Sequence, residues 1–480
     1  MDTSIFVVSD LHLGGREGFR MCERQAQARL AELFGWIREQ TSASRRGWIV
    51  IAGDVVDFLA EEPYAAITSD EKAATQKLER ILGDSDAVWT ALAAAAERCA
   101  VTLMLGNHDI ELSLPKPRRR LLQRIGRPVE FLCDNEAFTF GALLVEHGNR
   151  YEGWNAVDHD ALRRARSSLS RGEPSAPFPT QPGSELVVRV MNRFKQKYPW
   201  VDLLKPETAA TIPILAALGG CTLTMAAEVA KAAAGAAWRE RQFASDGVPT
   251  DLRFIGAGPS DGASTESRFA GAGFERRPVD ELAEAFALID GAPVPAADTK
   301  SDPRMVGEGA ITLREELLFR GLHHWGEKDG RSFQVDRESE RYLRPARALA
   351  ARDHRKAIVF GHTHLAKRVP LDSKKRAPLD SKERVSLDSG PTYLNTGTWA
   401  DLIRVPEAIF ASDDRAARGA FGDFLTALKT DASDLRRLLP TFARIDFDGA
   451  DNLTAADVFL FDEGGKTSPI ATEEILRRME

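Results

Sequence analysis

The stretch Ile51-Ala52-Gly53-Asp54-Val55-Val56-Asp57 decides how the chain reads. Trp48 to Ala52 ahead of it is a short apolar run of the kind that forms a buried strand, and Gly-Asp at its exit puts a carboxylate at the strand's end. Two readings of Asp54 follow. Gly-Asp opens many turns; a carboxylate also has two oxygens, so it can bridge two cations about 3.5–4 Å apart, as in two-metal hydrolases. Four other apolar runs end in clusters of Asp, Asn and His: Ile5-Phe6-Val7-Val8-Ser9-Asp10-Leu11-His12, Val101 to Leu105 before Gly106-Asn107-His108-Asp109, Ala142 to Val145 before Glu146-His147-Gly148-Asn149, and Ala357 to Phe360 before Gly361-His362-Thr363-His364. Five of the nine histidines fall in these clusters, which favours a metal site over a set of unrelated turns.

The order DxH, GDxxD, GNHD, strand-end His and GHTH resembles the calcineurin-like metallophosphoesterase superfamily, over residues 1–150 and 355–405. Ser9-Asp10-Leu11-His12-Leu13-Gly14 is also distantly similar to the bacterial UDP-diacylglucosamine hydrolases, which differ at Gly106 to Asp109 by carrying Arg in place of His. The resemblance implies an α/β fold, a layered β-sandwich flanked by helices. It further implies a phosphoric ester hydrolase with a dinuclear metal centre that cleaves a phosphodiester or pyrophosphate bond with a metal-bridged hydroxide. Motif by motif, Asp10, His12, Asp54 and His364 would hold one ion, and Asp54, Asn107, His147 and His362 the other. Mixed carboxylate, amide and imidazole donors suit Mn, Fe or Zn rather than a soft thiolate site. His108 is the candidate general acid with Asp109 orienting it, and Asn149, Tyr151, Trp154, Asn155, Arg118 and Arg119 are candidate substrate contacts.

The 480 residues carry 43% hydrophobic and 28% charged residues with a net charge of −7. That charge disfavours a dedicated non-specific nucleic-acid binder. Four scattered cysteines without C-x-x-C spacing argue against a disulfide framework or a structural zinc site. The first motif begins within a dozen residues of Met1, which leaves no room for a signal peptide and points to the cytoplasm.

Between the motifs the chain reads strand, helix, strand. Apolar positions recur at helical spacing over Gln25–Gln40 and over Asp70–Arg98, the latter with a break near Gly83-Asp84. Lys116, Arg118, Arg119, Arg120, Arg124 and Arg127 form either a solvated helix face or a cationic rim for phosphorylated substrates. Residues 1–150 and 351–470 are expected to form the core, 151–350 a large, mostly helical insertion acting as lid or accessory domain, and 471–480 a tail. Within the insertion, Arg163–Leu169, Glu185–Tyr198 and Pro206–Phe243 read as helical. Thr208–Ala227 lacks charge, but Pro213, Gly219-Gly220 and four threonines make it a poor lipid-facing helix, so no transmembrane span is expected. Leu-Asp-Ser recurs at 371, 379 and 387, as in an expanded hairpin loop. Asp446-x-Asp448 lacks the Gly that an EF-hand loop needs at its sixth position. Two alternatives accompany the phosphoesterase reading: a metal-dependent nuclease in nucleic-acid processing or defence, and a metal-binding scaffold. The substrate class stays open among nucleotide, nucleic-acid and lipid-linked phosphates.

Overall fold

Strand β1 (Asp2–Val8) has apolar side chains on both faces: Ile5 and Val7 enter one core, Phe6 and Val8 another. A strand covered on both faces reads as an unbroken apolar run instead of an alternating one, and β2 (Arg45–Ala52), β3 (Cys99–Met104) and β8 (Ala357–Phe360) share this property. In the computed structural model, which describes residues 1–175, 178–205, 235–236, 319, 333–352, 354–372, 390–410 and 414–480, these strands lie in two sheets. The first has the order β14-β13-β12-β1-β2-β3-β4, with β1, β2, β3 and β4 (Glu130–Leu132) parallel and β12 (Thr441–Phe447), β13 (Leu453–Phe461) and β14 (Thr467–Pro469) added antiparallel. The second has the order β5-β6-β8-β10-β9, with β6 (Leu143–Val145), β8 and β10 (Thr392–Thr396) parallel and β5 (Phe138–Phe140) and β9 (Ala366–Pro370) antiparallel at its edges.

One core lies between the sheets, where Ile5, Val50 and Val458 meet Val145, Val359 and Leu394. Helices α1 (Arg24–Gln40), α2 (Glu71–Asp84), α3 (Asp86–Ala95) and α4 (Pro115–Ile125) contribute to the core on the outer face of the first sheet. The helix Glu340–Arg352 covers the second sheet with Tyr342, Leu343, Ala346 and Ala350. The result is a layered α/β sandwich. The break expected near Gly83-Asp84 is present as Ser85, which ends α2 and starts α3 and whose hydroxyl accepts from Trp89 Nε1 at 2.8 Å.

The chain forms two compact units. The first comprises Met1–Leu203, Arg331–Ile403 and Arg436–Glu480; the second comprises Leu204–Gly330 and Arg404–Leu435. The expected boundary at residue 150 therefore falls inside the first unit. α5 (His159–Ser170) belongs there, and Leu162 enters the core of the first sheet's helical face. Within the second unit, the helix Asp414–Thr430 buries Ala417, Phe421, Phe424, Leu425 and Leu428. Pro206–Phe243, apart from residues 235–236, and the uncharged Thr208–Ala227 stretch lie outside the described residues, as does the Leu-Asp-Ser repeat beyond Asp372. The strands on either side of that repeat, β9 (Ala366–Pro370) and β10, pair antiparallel. The expected tail is a helix, Thr472–Met479. Ile475 and Met479, four residues apart, enter the inter-sheet core, and acidic residues in its first turn and basic ones in its last suit the helix dipole. Asp448 accepts the backbone N–H groups of Ala450 and Asn452, which makes its loop an Asp-stabilised turn. Among the described residues no helix is long and apolar enough to cross a membrane.

Candidate metal centre

Parallel strands deliver the residues at their carboxyl ends to one edge of a sheet, where α/β proteins place their sites. β1 ends in Asp10 and His12, β2 in Asp54, β3 in Asn107 and His108, β6 in His147, and β8 in His362 and His364. Three short turns hold five of these residues in the left-handed region, with φ of 53° at Asp10, 44° at His12, 49° at Asp54, 71° at His362 and 63° at His364. Each such non-glycine residue stores about 1–3 kcal/mol of strain and persists only where its surroundings hold it. The holding bonds are visible. Asp10 Oδ2 accepts from the Ser9 hydroxyl and from His362 N–H (2.8 Å), Asp54 Oδ1 accepts His108 N–H (2.8 Å), and the Asp10 carbonyl accepts Thr398 Oγ1 (2.8 Å) and Trp399 N–H (3.1 Å).

Three groups of donors result among the described residues. His12, Asp57 and His108 form one, which shares His12 with the second. Asp10, His12 and His364 form the second: His364 Nε2 lies 3.3 Å from Asp10 Oδ1 and 3.0 Å from His12 Nε2. Asp54, His147 and His362 form the third, with His147 Nε2 3.2 Å from Asp54 Oδ2 and 3.2 Å from Asn107 Oδ1. Asp54 Oδ2 stands between the second and third, 4.0 Å from His12 Nε2. Glycine is required beside this carboxylate, because a Cβ on Gly53 (φ 87°) would lie 2.6 Å from His147 Nδ1. At Gly361 a Cβ would lie 2.6 Å from Asp10 Oδ2.

The donors fit divalent cations. Asp10 Oδ1 is buried without a well-aligned hydrogen bond and faces the His364 and His12 Nε2 atoms at 3.3 and 3.9 Å, an arrangement that favours a positive charge there. Burial alone would push Asp10 and Asp54 up, yet the surrounding imidazoles hold both carboxyls below the usual carboxylate range. His12 is pushed down to about 3 by burial and by His108 and His364, so it is the neutral imidazole that ligation needs. Burial would also lower His147, but the Asp54 carboxylate beside it raises it to about 9.

His108 lies at the rim. Its side chain is 18% exposed, more than that of His12, His147, His362 or His364, and its ring meets His12 edge-on with centroids 4.7 Å apart. The carboxylate beside it is not the expected Asp109 but Asp57, whose Oδ1 is 3.2 Å from His108 Nδ1. Asp109 is fully buried, and its two oxygens accept Val55 N–H (2.7 Å) and Gly106 N–H (2.8 Å), which pins the loop after β2 to the loop after β3. Burial and the nearby Asp54 push its carboxyl up to about 7. Asp57 also stands 3.8 Å from His12 Nδ1 and caps the turn Phe58–Ala60.

Asn149, Tyr151, Trp154 and Asn155 chiefly build their own loop. Asn149 Nδ2 donates to the Asn155 carbonyl (2.9 Å), Tyr151 donates to Glu146 Oε2 (2.6 Å) and stacks on Phe360, Trp154 is buried, and Asn155 donates to Glu152. The basic run does not form a free cationic rim. Lys116 pairs with Glu71, Arg120 with Glu79, Arg124 with Asp86 and Arg127 with Glu97, while Arg118 donates to Cys133 Sγ and Arg119 is exposed. Glu152, which sequence reasoning passed over, places Oε1 2.8 Å from His362 Nε2. Burial opposes its charge, but His362 brings the carboxyl down to about 2. A lone Glu in a polar loop carries no signal of this; Asp57 was within the GDxxD motif.

Residues 3–188 match the family model described as calcineurin-like phosphoesterase. The match ends before β8, so the fold itself brings His362 and His364 into the group formed by the matched segment. No curated protein matches the chain.

Proposed function

We propose that this chain, a metal-dependent phosphoric ester hydrolase of the calcineurin-like metallophosphoesterase superfamily, holds two divalent ions and cleaves a phosphodiester or pyrophosphate bond. The observation that carries the proposal is Asp54 Oδ2, which lies 3.2 Å from His147 Nε2 in one donor cluster and 4.0 Å from His12 Nε2 in the other. Asp10, His12, Asp54 and His364 would hold one ion, and Asp54, Asn107, His147 and His362 the second. Two such ions, when bound, neutralise phosphoryl oxygens and acidify the attacking water.

The protein's own groups supply the rest. Ser9 and the N–H groups of His108 and His362 hold the two carboxylates in place, and Thr398 holds the Asp10 backbone carbonyl. His108 at the rim, backed by Asp57, would give a proton to the leaving oxygen, a role that typically contributes about 10²–10⁴ in rate. Asp109 positions the loops that present Asp54 and His108. The donor set suits Mn, Fe or Zn. A nuclease would be expected to track the backbone with free cations, whereas most of the basic run is ion-paired; intact donor clusters argue against a scaffold.

The test is a metal-reconstituted screen of p-nitrophenyl monoester and diester, cyclic nucleotide, nucleotide-sugar pyrophosphate and single-stranded DNA. Metal-dependent turnover strongest on the diester or pyrophosphate supports the reading. Turnover confined to single-stranded DNA would replace it with the nuclease, and no turnover on any substrate would count against it.

A further inference from the structure

We infer that Glu152 is the positioning residue of His362, holding the ring so that Nδ1 is the nitrogen offered to the Asp54–His147 cluster. The inference rests on the proposed second ion site. An imidazole has two nitrogens, and in His362 Nε2 faces Glu152 Oε1 at 2.8 Å. With the proton on Nε2 and donated to the carboxylate, the lone pair of Nδ1 is left for ligation. A carboxylate behind a ligating imidazole fixes its tautomer and raises its basicity.

Glu152 is itself held from several sides. Its Oε2 accepts from Tyr342 Oη (3.2 Å) and lies 3.7 Å from Arg341 Nη1, while Oε1 also accepts from Asn155 Nδ2. Tyr342 is 7% exposed and packs with Phe360 and Tyr393 in the core over the second sheet. The carboxylate is thus fixed by the helix Glu340–Arg352 just before β8, and His362 is fixed from its other side by the N–H it donates to Asp10 Oδ2. His147 differs, because its Nδ1 faces the neutral carbonyl of Ala52 at 2.8 Å. In the Asp54–His147–His362 cluster, therefore, Glu152 is the carboxylate behind an imidazole, and losing it should weaken that ion alone.

The test is titration of metal-free full-length protein with Mn²⁺ by calorimetry, with bound metal counted by elemental analysis and the metal-free thermal midpoint recorded. Wild type should take two ions. Glu152→Ala should take the first as wild type does and the second about 10–100-fold more weakly. Glu152→Gln keeps a carbonyl oxygen that accepts from Nε2, so it should recover most of that loss. If Glu152→Ala does not fold, Glu152→Asp, whose carboxylate is one methylene short, should show the same selective weakening. Wild-type affinity at both sites in the alanine or aspartate variant would overturn the inference. So would equal weakening of both sites with a lowered metal-free midpoint, which marks structural support, or a glutamine variant as weak as alanine, which marks a direct ligand. Fewer than two ions in wild type would overturn the dinuclear reading and the inference with it.

Discussion

Replacing His108 would separate the proposed proton delivery from metal binding, because the two would use different parts of the residue. Its backbone N–H donates to Asp54 Oδ1 at 2.8 Å, and this bond survives any substitution that keeps the loop. Its ring, 18% exposed and 3.2 Å from Asp57 Oδ1, is the part that can reach a leaving oxygen. His108→Gln should therefore keep the bound metal and lose only the proton donor. For an alkyl diester, whose alkoxide leaves poorly, the expected loss in kcat is about 10²–10⁴, or about 2.7–5.4 kcal/mol at 1.36 kcal/mol per tenfold. For the p-nitrophenyl diester, whose leaving group departs without a proton, the loss should stay below about tenfold. Steady-state rates on both substrates, with metal content measured on the same samples, decide the matter. Equal losses on both substrates at unchanged metal content would refute the acid role, and loss of metal would show that the ring supports the centre instead.

Chelation should abolish turnover and added divalent metal restore it, while Asp54→Ala should fall by several orders of magnitude with metal restored; metal-free turnover near wild type would be contrary. Gly53→Ala drives a methyl against His147 Nδ1 and strains a φ of 87°, so its metal content should drop on the His147 side, as elemental analysis can show. Glu111 is buried and pushed up from 4.5 to about 7 by burial, with Oε1 accepting Thr68 N–H at 2.7 Å. Since its folded pKa exceeds the unfolded one, its stabilisation is complete below pH 4.5 and lost as pH rises through 7. Glu111→Gln should then gain up to about 3 kcal/mol on wild type across that window, and a urea midpoint difference that does not change with pH would disprove it. Arg118→Glu with Arg119→Glu should leave the salt dependence of kcat/KM on the p-nitrophenyl diester near that of wild type, whereas a marked flattening would restore the cationic rim.

The sequence by itself determined the strands and the chemistry at their ends. Ile51 to Asp57 and its four counterparts are local patterns: a run apolar on both faces, then a short turn that can present a carboxylate or imidazole only at the strand's exit. The break between α2 and α3 was legible for the same reason, as was the antiparallel pairing around the Leu-Asp-Ser repeat. Pairings between distant segments were not. Glu152 and Tyr342 are 190 residues apart and Arg124 and Asp86 are 38 apart, so which charge meets which was decided by the packing of helices on sheets. Asp57 lies three residues after Asp54 and Asp109 two after Asn107, yet only the folded loops decided that one carboxylate faces His108 while the other accepts backbone N–H groups. The helix Thr472–Met479 also depended on where its apolar face could be buried. Backbone turns are settled by neighbouring residues, whereas the partner of a side chain is settled only once the whole chain has closed around it.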